Sequence, residues 1–273
     1  MTSAPSEGNT SIMTNPNPHQ EDSTWREYNV HGNADDEDQP VDIFATTTGE
    51  DAYETLQYKI GDSITVKIRS EKEYDKSTGL SVWTGSEVMC NYLEKHSSTI
   101  HKKKVVEVGA GCGLCGLVCR MALGADSVLI TDGDSHVMKN IRYNVELNGL
   151  QLADNSSVIG SNEATISCPQ LIWGKDHAIN FTKQYGKQDV IVSTDCLYIA
   201  QSVNPLFETA NELLSKSGIF LFINSYQWAC PSEKVCEVAE EYGFVTSDEE
   251  LWYHEDDKEQ SNPVHVFRRR IEV

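Results

Sequence analysis

Lys104 to Asp132 reads KVVEVGAGCGLCGLVCRMALGADSVLITD, and the fold follows from this stretch. Val105-Val106-Glu107-Val108 is a short β-branched run of the kind that forms a strand buried on both faces. Gly109, Gly111 and Gly113 follow at alternate positions, and then an apolar run from Leu114 to Leu123 suits a helix ended by Gly124. A second β-run, Val128-Leu129-Ile130, delivers Asp132 at its carboxyl end. Strand, glycine loop, helix, strand and acid in this order form a nucleotide-binding βαβ unit. The glycines let the backbone turn and approach a ligand, and the acid is placed to take ribose hydroxyls.

Which nucleoside is a separate question. Gly111, Gly113 and Gly116 also spell GxGxxG, a weak dinucleotide signal when it stands alone. Gly109 directly follows the strand, however, so the loop proper is Gly-Ala-Gly-Cys-Gly. Glu107 lies two residues earlier, where it would repel a pyrophosphate. A carboxylate there suits a ligand carrying an ammonium and a sulfonium, which is S-adenosylmethionine. The competing reading of Glu107 is a solvated charge at a strand end.

Upstream, Thr84 and Glu87 have capping-box spacing, so a helix is expected from there to about His96. Trp83 then sits at the loop-to-helix junction, either bordering the cofactor or acting as a hydrophobic staple. Before it, apolar residues alternate from Tyr53 to Arg69 around Gly61-Asp62, a β-hairpin signal expected to extend the main sheet at an edge. From Met1 to Glu54 there are twelve acids and one base, Arg26. So little apolar surface cannot offset the entropy of ordering. Residues 1–50 are therefore expected to be a disordered acidic arm, and residues 51–273 the folded domain.

Downstream, Asp134 to Leu147 has helical periodicity and is stopped by Asn148-Gly149. Ile166 to Trp173 reads as the third strand, which would put Trp173 at the carboxyl end of the sheet, on the ligand or in the core. Asp189 to Ser193 is the fourth strand and runs into Thr194-Asp195-Cys196-Leu197-Tyr198. Asp195 and Tyr198, three apart and just past a buried strand, should face the same crevice as the glycine loop. A plainer role for Asp195 is to cap the helix that follows. A helix over Asn204–Leu214, a fifth strand over Gly218–Ile223 and a helix over Ser232–Tyr242 come next. Two last strands, around Glu250–Tyr253 and Val264–Arg268, complete seven. The expected fold class is α/β: one Rossmann-like, doubly wound seven-stranded sheet with an N-terminal β-hairpin.

Cys112, Cys115 and Cys119 hint at a metal motif, but Cys112 belongs to the glycine loop and the other two to the apolar face of the next helix. No second Cys or His pair with zinc spacing accompanies them, so no metal is expected. Eight scattered cysteines without a secretory signal indicate a reducing, cytoplasmic or nuclear setting. A net charge of −20 argues against a nucleic-acid partner and suits a basic protein surface. No run approaches a membrane span.

VVEVGAGCGLCG, LITDGD, LIWG and VSTDCLY, preceded by GLSVWTGSEV, together resemble the seven-strand protein-lysine methyltransferases, methyltransferase family 16, over Tyr58 to the C-terminus. Thr131-Asp132-Gly133 and Asp195-Cys196-Leu197-Tyr198 are most similar to the calmodulin-lysine enzymes. Those enzymes carry Trp-Pro-Ser-Glu where this chain has Trp83-Thr84-Gly85-Ser86-Glu87. The resemblance implies a class I methyltransferase fold and methyl transfer from S-adenosylmethionine to a lysine side chain. It implies a protein substrate such as calmodulin, a chaperone or an elongation factor. It also implies that Glu107, Gly109, Gly111 and Asp132 hold the cofactor and that Trp83 and Trp173 border it. Asp195 and Tyr198 would be catalytic, an Asp-x-x-Tyr motif at the lysine, with Asp195 either aligning the amine or orienting the loop. The rival classes are a scaffold that has lost catalysis and a methyltransferase for a non-lysine acceptor.

Overall fold

The computed structural model describes residues 52–72, 78–153, 164–225, 230–246, 251–254 and 263–270. The expected acidic arm lies outside them. The strands are β1 (Tyr53–Ile60), β2 (Ile64–Glu71), β3 (Lys104–Val108), β4 (Ser127–Thr131), β5 (Thr165–Ser167), β6 (Gln188–Thr194), β7 (Leu214–Ile223), β8 (Phe244–Val245) and β9 (His265–Arg269). The helices are α1 (Thr84–Lys95), α2 (Leu114–Met121), α3 (Ser135–Leu147), α4 (Lys175–Tyr185), α5 (Val203–Leu213) and α6 (Ser232–Glu241).

The main sheet has seven strands in the order β5-β4-β3-β6-β7-β9-β8. The first five of these pair in parallel, and β9 pairs antiparallel with β7 and with β8. Its two faces carry separate cores. One gathers Met89, Leu117 and Ile141 from α1, α2 and α3. The other gathers Phe181, Phe207 and Val235 from α4, α5 and α6. Strand β3 feeds both, with Val105 on the first face and Val106 and Val108 on the second. The chain passes from β3 to β4 and β5 on one side, then returns to β6 on the other. That reversal opens a crevice at the carboxyl ends of β3 and β6, the usual ligand position in an open α/β sheet.

Four local expectations change. The hairpin forms its own two-stranded sheet rather than an edge of the main one. Its outward backbone groups on β2 are taken by asparagine side chains of α3 and its C-cap, which occupy the hydrogen bonds a further strand would need. Lys67 N–H donates to Asn148 Oδ1 at 2.8 Å, and Arg69 N–H to Asn144 Oδ1 at 2.8 Å. The Asn148 and Asn144 amides donate back to the Lys67 and Arg69 carbonyls.

The third strand is shorter than the Ile166–Trp173 run, because Pro169 has no N–H to continue a ladder. Leu171 N–H still bonds the Asp132 carbonyl at 3.0 Å, so the segment leading to Trp173 stays beside the end of β4. The sixth strand is Phe244–Val245, not Glu250–Tyr253: Trp252 makes a single bridge to Val264, Phe244 is fully buried, and Glu250 lies outside the described residues. The Trp252 ring packs on Tyr92 of α1 instead. Finally, α1 starts where the capping-box spacing puts it, but Thr84 lies inside the helix and Trp83 at the N-cap makes no side-chain cap bond.

Candidate active site

Every backbone turn of the glycine loop uses left-handed geometry, with φ of 65°, 54° and 79° at Gly109, Gly111 and Gly113. Glu107 lies beneath the loop. It is 1% exposed, so it is not a solvated strand-end charge, and its Oε2 accepts the Gly116 N–H at 2.8 Å. A Cβ on Gly116 would stand 2.8 Å from that oxygen and 2.6 Å from Ile130, so only glycine fits there. Burial pushes the Glu107 carboxyl up to about 8 against the pull of the Gly116 and Cys115 amides. Asp132 ends β4 with Oδ2 accepting Gly111 N–H at 3.1 Å and Oδ1 accepting Asp134 N–H at 3.0 Å. Burial raises its pKa too, opposed by the Asp134 and Gly111 amides.

Of the other predicted residues, Trp173 meets this loop directly, and Cys196, the neighbour of Asp195, meets it from a separate element. A Cβ on Gly109 would lie 2.8 Å from the Trp173 ring and 3.1 Å from Cys196 Cβ. The end of the β5 segment and the segment after β6 therefore flank the first glycine. Ser193 secures the second of these, donating to the Val108 carbonyl at 3.0 Å. On the far side, a Cβ on Gly111 would lie 3.4 Å from the Gly79 carbonyl, so the turn over Thr78–Leu80 covers the loop. Trp83 is tied to that turn, its indole N–H donating to the Thr78 carbonyl at 2.6 Å.

Asp195 has a positive φ of 48°, a conformation that Asp tolerates better than most residues. Its Oδ2 accepts Gly85 N–H at 2.6 Å, and its Oδ1 accepts Ser225 N–H at 2.6 Å and Ser225 Oγ–H at 2.7 Å. It thus caps α1 rather than the helix that follows it. Burial raises the Asp195 pKa, with the Ser225 and Gly85 bonds opposing. Tyr198 is 45% exposed beside the exposed Ile199. A separate groove of about 690 Å³ opens at the outer edge of β5, lined by Arg142, Ser167, Ile172, His177 and Tyr185 among others. None of the glycine-loop residues lines it, so the chemistry is assigned to the crevice.

Residues 61–234 match the model of the family described as lysine methyltransferase. The chain belongs to that family. It is similar to a calmodulin-lysine N-methyltransferase of Arabidopsis thaliana, 29% identical over 50% of this chain and 42% of the relative. It is also similar to the protein N-terminal and lysine N-methyltransferase EFM7 of Yarrowia lipolytica, 32% identical over 51% of this chain and 54% of the relative. The chain thus spans about half the length of these curated relatives. In fold it matches a Streptococcus mutans protein assigned as an S-adenosylmethionine-dependent methyltransferase, with a TM-score of 0.54, 14% identity, and coverage of 78% of this chain and 54% of that one.

The cofactor of this lysine methyltransferase family member is S-adenosylmethionine, and the residues fit it. A dinucleotide would place its pyrophosphate on the N-terminal amides of α2. Here the Gly116 amide is already taken by a buried carboxylate, which disfavours a second anion and favours a cation. Asp132, held beside Gly111 by that residue's N–H, is a carboxylate that could accept from ribose hydroxyls.

Gly79, Gly85, Ser225 and the α3 asparagines shape the site without having been singled out for it in the sequence. Gly85 had one local signal: a glycine in the first turn of a helix, where it weakens the helix unless something must come close. The asparagines had another, in their i, i+4, i+8 spacing at Asn140, Asn144 and Asn148.

Proposed function

We propose that the protein is an S-adenosylmethionine-dependent methyltransferase whose acceptor is the side-chain amine of a lysine in a protein. The observation that carries this reading is the position of the Asp195–Tyr198 segment. Cys196 borders Gly109 in the cofactor loop, while Tyr198 three residues from Asp195 is open to solvent. One element therefore faces the donor and the outside at once, as an acceptor arriving on a large protein requires.

When bound, the cofactor supplies an electrophilic methyl group on a sulfonium sulfur. The chain's part is positioning and electrostatics. Glu107 and Asp132 hold the donor by charge and by hydrogen bonds, while Trp83 and Trp173 wall its crevice. Tyr198 receives the incoming side chain, its ring lying beside the amine. A lysine amine has an ordinary pKa near 10.4 and must lose a proton to act as a nucleophile, which a partly dry aromatic approach favours. Of the substrate classes, calmodulin is supported by a relative named for it, whereas elongation factors and chaperones rest on the resemblance alone.

The test is incubation with a methyl-labelled donor and a cell lysate, followed by residue-level mass spectrometry. Label on a lysine Nζ supports the reading, whereas label on a protein α-amine would move the acceptor to the chain terminus. Saturable binding of donor with no label on any protein would make it a scaffold.

A further inference from the structure

We infer that Asp195 is a positioning residue that joins the donor wall to the acceptor segment, acting through the N-terminus of α1. This rests on the methyltransferase reading of the site. Both of its carboxylate oxygens are engaged at short range by Gly85 and Ser225. A second bond runs in parallel, Ser86 Oγ to Thr194 Oγ1 at 2.9 Å, so two successive residues of α1 are fastened to two successive residues at the end of β6. Trp83 is the N-cap of α1 and is bonded to Thr78, and the adjacent Gly79 carbonyl lies over Gly111. A continuous path thus runs from Asp195 through Gly85 and Trp83 to the cofactor loop. In the other direction Asp195 fixes the start of the segment carrying Tyr198, and Ser225 ties in the strand end of β7.

Gly85 explains its own presence by this contact. A Cβ there would stand 2.5 Å from Asp195 Oδ2 and 2.7 Å from its carboxyl carbon. Alanine is the better helix former and would favour α1 in isolation. Any loss on Gly85→Ala is therefore loss of the junction with Asp195.

The experiment measures binding of S-adenosylhomocysteine by calorimetry, and methyl transfer across pH, for wild type, Gly85→Ala, Asp195→Ala, Asp195→Asn and the Gly85→Ala/Asp195→Ala double variant. The expected result is that Gly85→Ala and Asp195→Ala each weaken binding about tenfold. The double variant should be no weaker than the worse single one, because both break one contact. Asp195→Asn keeps one oxygen acceptor but turns an amide NH2 toward the other donor, so it should bind between wild type and Asp195→Ala and leave the shape of the pH–rate profile unchanged. Equal affinity in wild type, Gly85→Ala and Asp195→Ala overturns the inference alone. So does full affinity in Asp195→Asn with transfer abolished and the profile altered, which would make the carboxylate a proton acceptor. A wild-type chain that binds neither donor nor product overturns the function, and this inference with it.

Discussion

The two halves of the crevice are built by different means. The floor, from β3 through the glycine loop and α2 to Asp132, is contiguous in sequence, and its bonds are mostly short-range: Gly116 to Glu107 and Gly111 to Asp132. The cover comprises the β1–β2 hairpin, the Thr78–Leu80 turn and the start of α1, and it is held by residues far away in the chain. Gly85 is bonded to a residue 110 positions later, and Arg69 to one 75 positions later. The floor is thus fixed by close packing, where a single added carbon has nowhere to go. The cover adds Val66, Ile68 and Met89 to the apolar core, and a few polar bonds to backbone groups set its place over the floor, each removable without disturbing the sheet.

The largest effect should come from the floor. Gly116→Ala pushes a Cβ into both Ile130 and the buried Glu107 carboxylate, and should destabilise by about 3 kcal/mol in urea unfolding. A neutral outcome would mean that α2 is free to slide, and the contrast between floor and cover would fail.

Next comes the best-buried bond of the cover. Asn144 is 0% exposed, serves both the N–H and the carbonyl of Arg69, and donates to the Cys112 carbonyl at 3.0 Å. Asn144→Ala should lower stability by about 2–3 kcal/mol, since it strands buried backbone groups.

A smaller, pH-dependent effect belongs to Glu107. Its folded-state pKa is raised from 4.5 to about 8, so stability is highest while the carboxyl is protonated and falls as pH rises between those values. A bound cation reverses the preference. Donor affinity should therefore rise with pH up to about 8, by as much as about tenfold per unit, and flatten above it. Calorimetry in buffers of different ionisation enthalpy should register proton release on binding. Glu107→Gln should abolish both the slope and the release; an unchanged slope would trace the titration to the donor itself.

The smallest effect is expected at Asn148, whose bonds to Lys67 are exposed. Asn148→Ala should change stability by less than about 1 kcal/mol, because water replaces the lost partner. Equal losses at Asn144 and Asn148 would show that burial does not govern how the cover is held.

The sequence by itself determined the floor. Val105 to Val108, the alternate glycines and Asp132 are read from short-range pattern, because strand, turn and helix there each depend on residues a few positions apart. The pattern also put Asp195 and Tyr198 just past β6, and it put Trp173 at the end of a strand, whereas β5 stops at Ser167 and Trp173 lies on the segment beyond it. The start of α1 was legible, but not its cap: Thr84 and Glu87 have the right spacing, whereas the helix is capped by Asp195. Helix α4 has a weaker pattern, burying only Ala178, Phe181 and Tyr185 between Gly174 and Gly186. Where the hairpin docks was decided only in three dimensions. Its alternation announced two strands, but an alternating strand is equally suited to a sheet edge and to the side of a helix. The asparagine amides of α3 settled which, by offering β2 the hydrogen bonds of a strand without being one. Which carboxylate was buried followed the same rule, since Glu107 lies within a run of valines that reads alike whether its own side faces water or the N-terminus of α2.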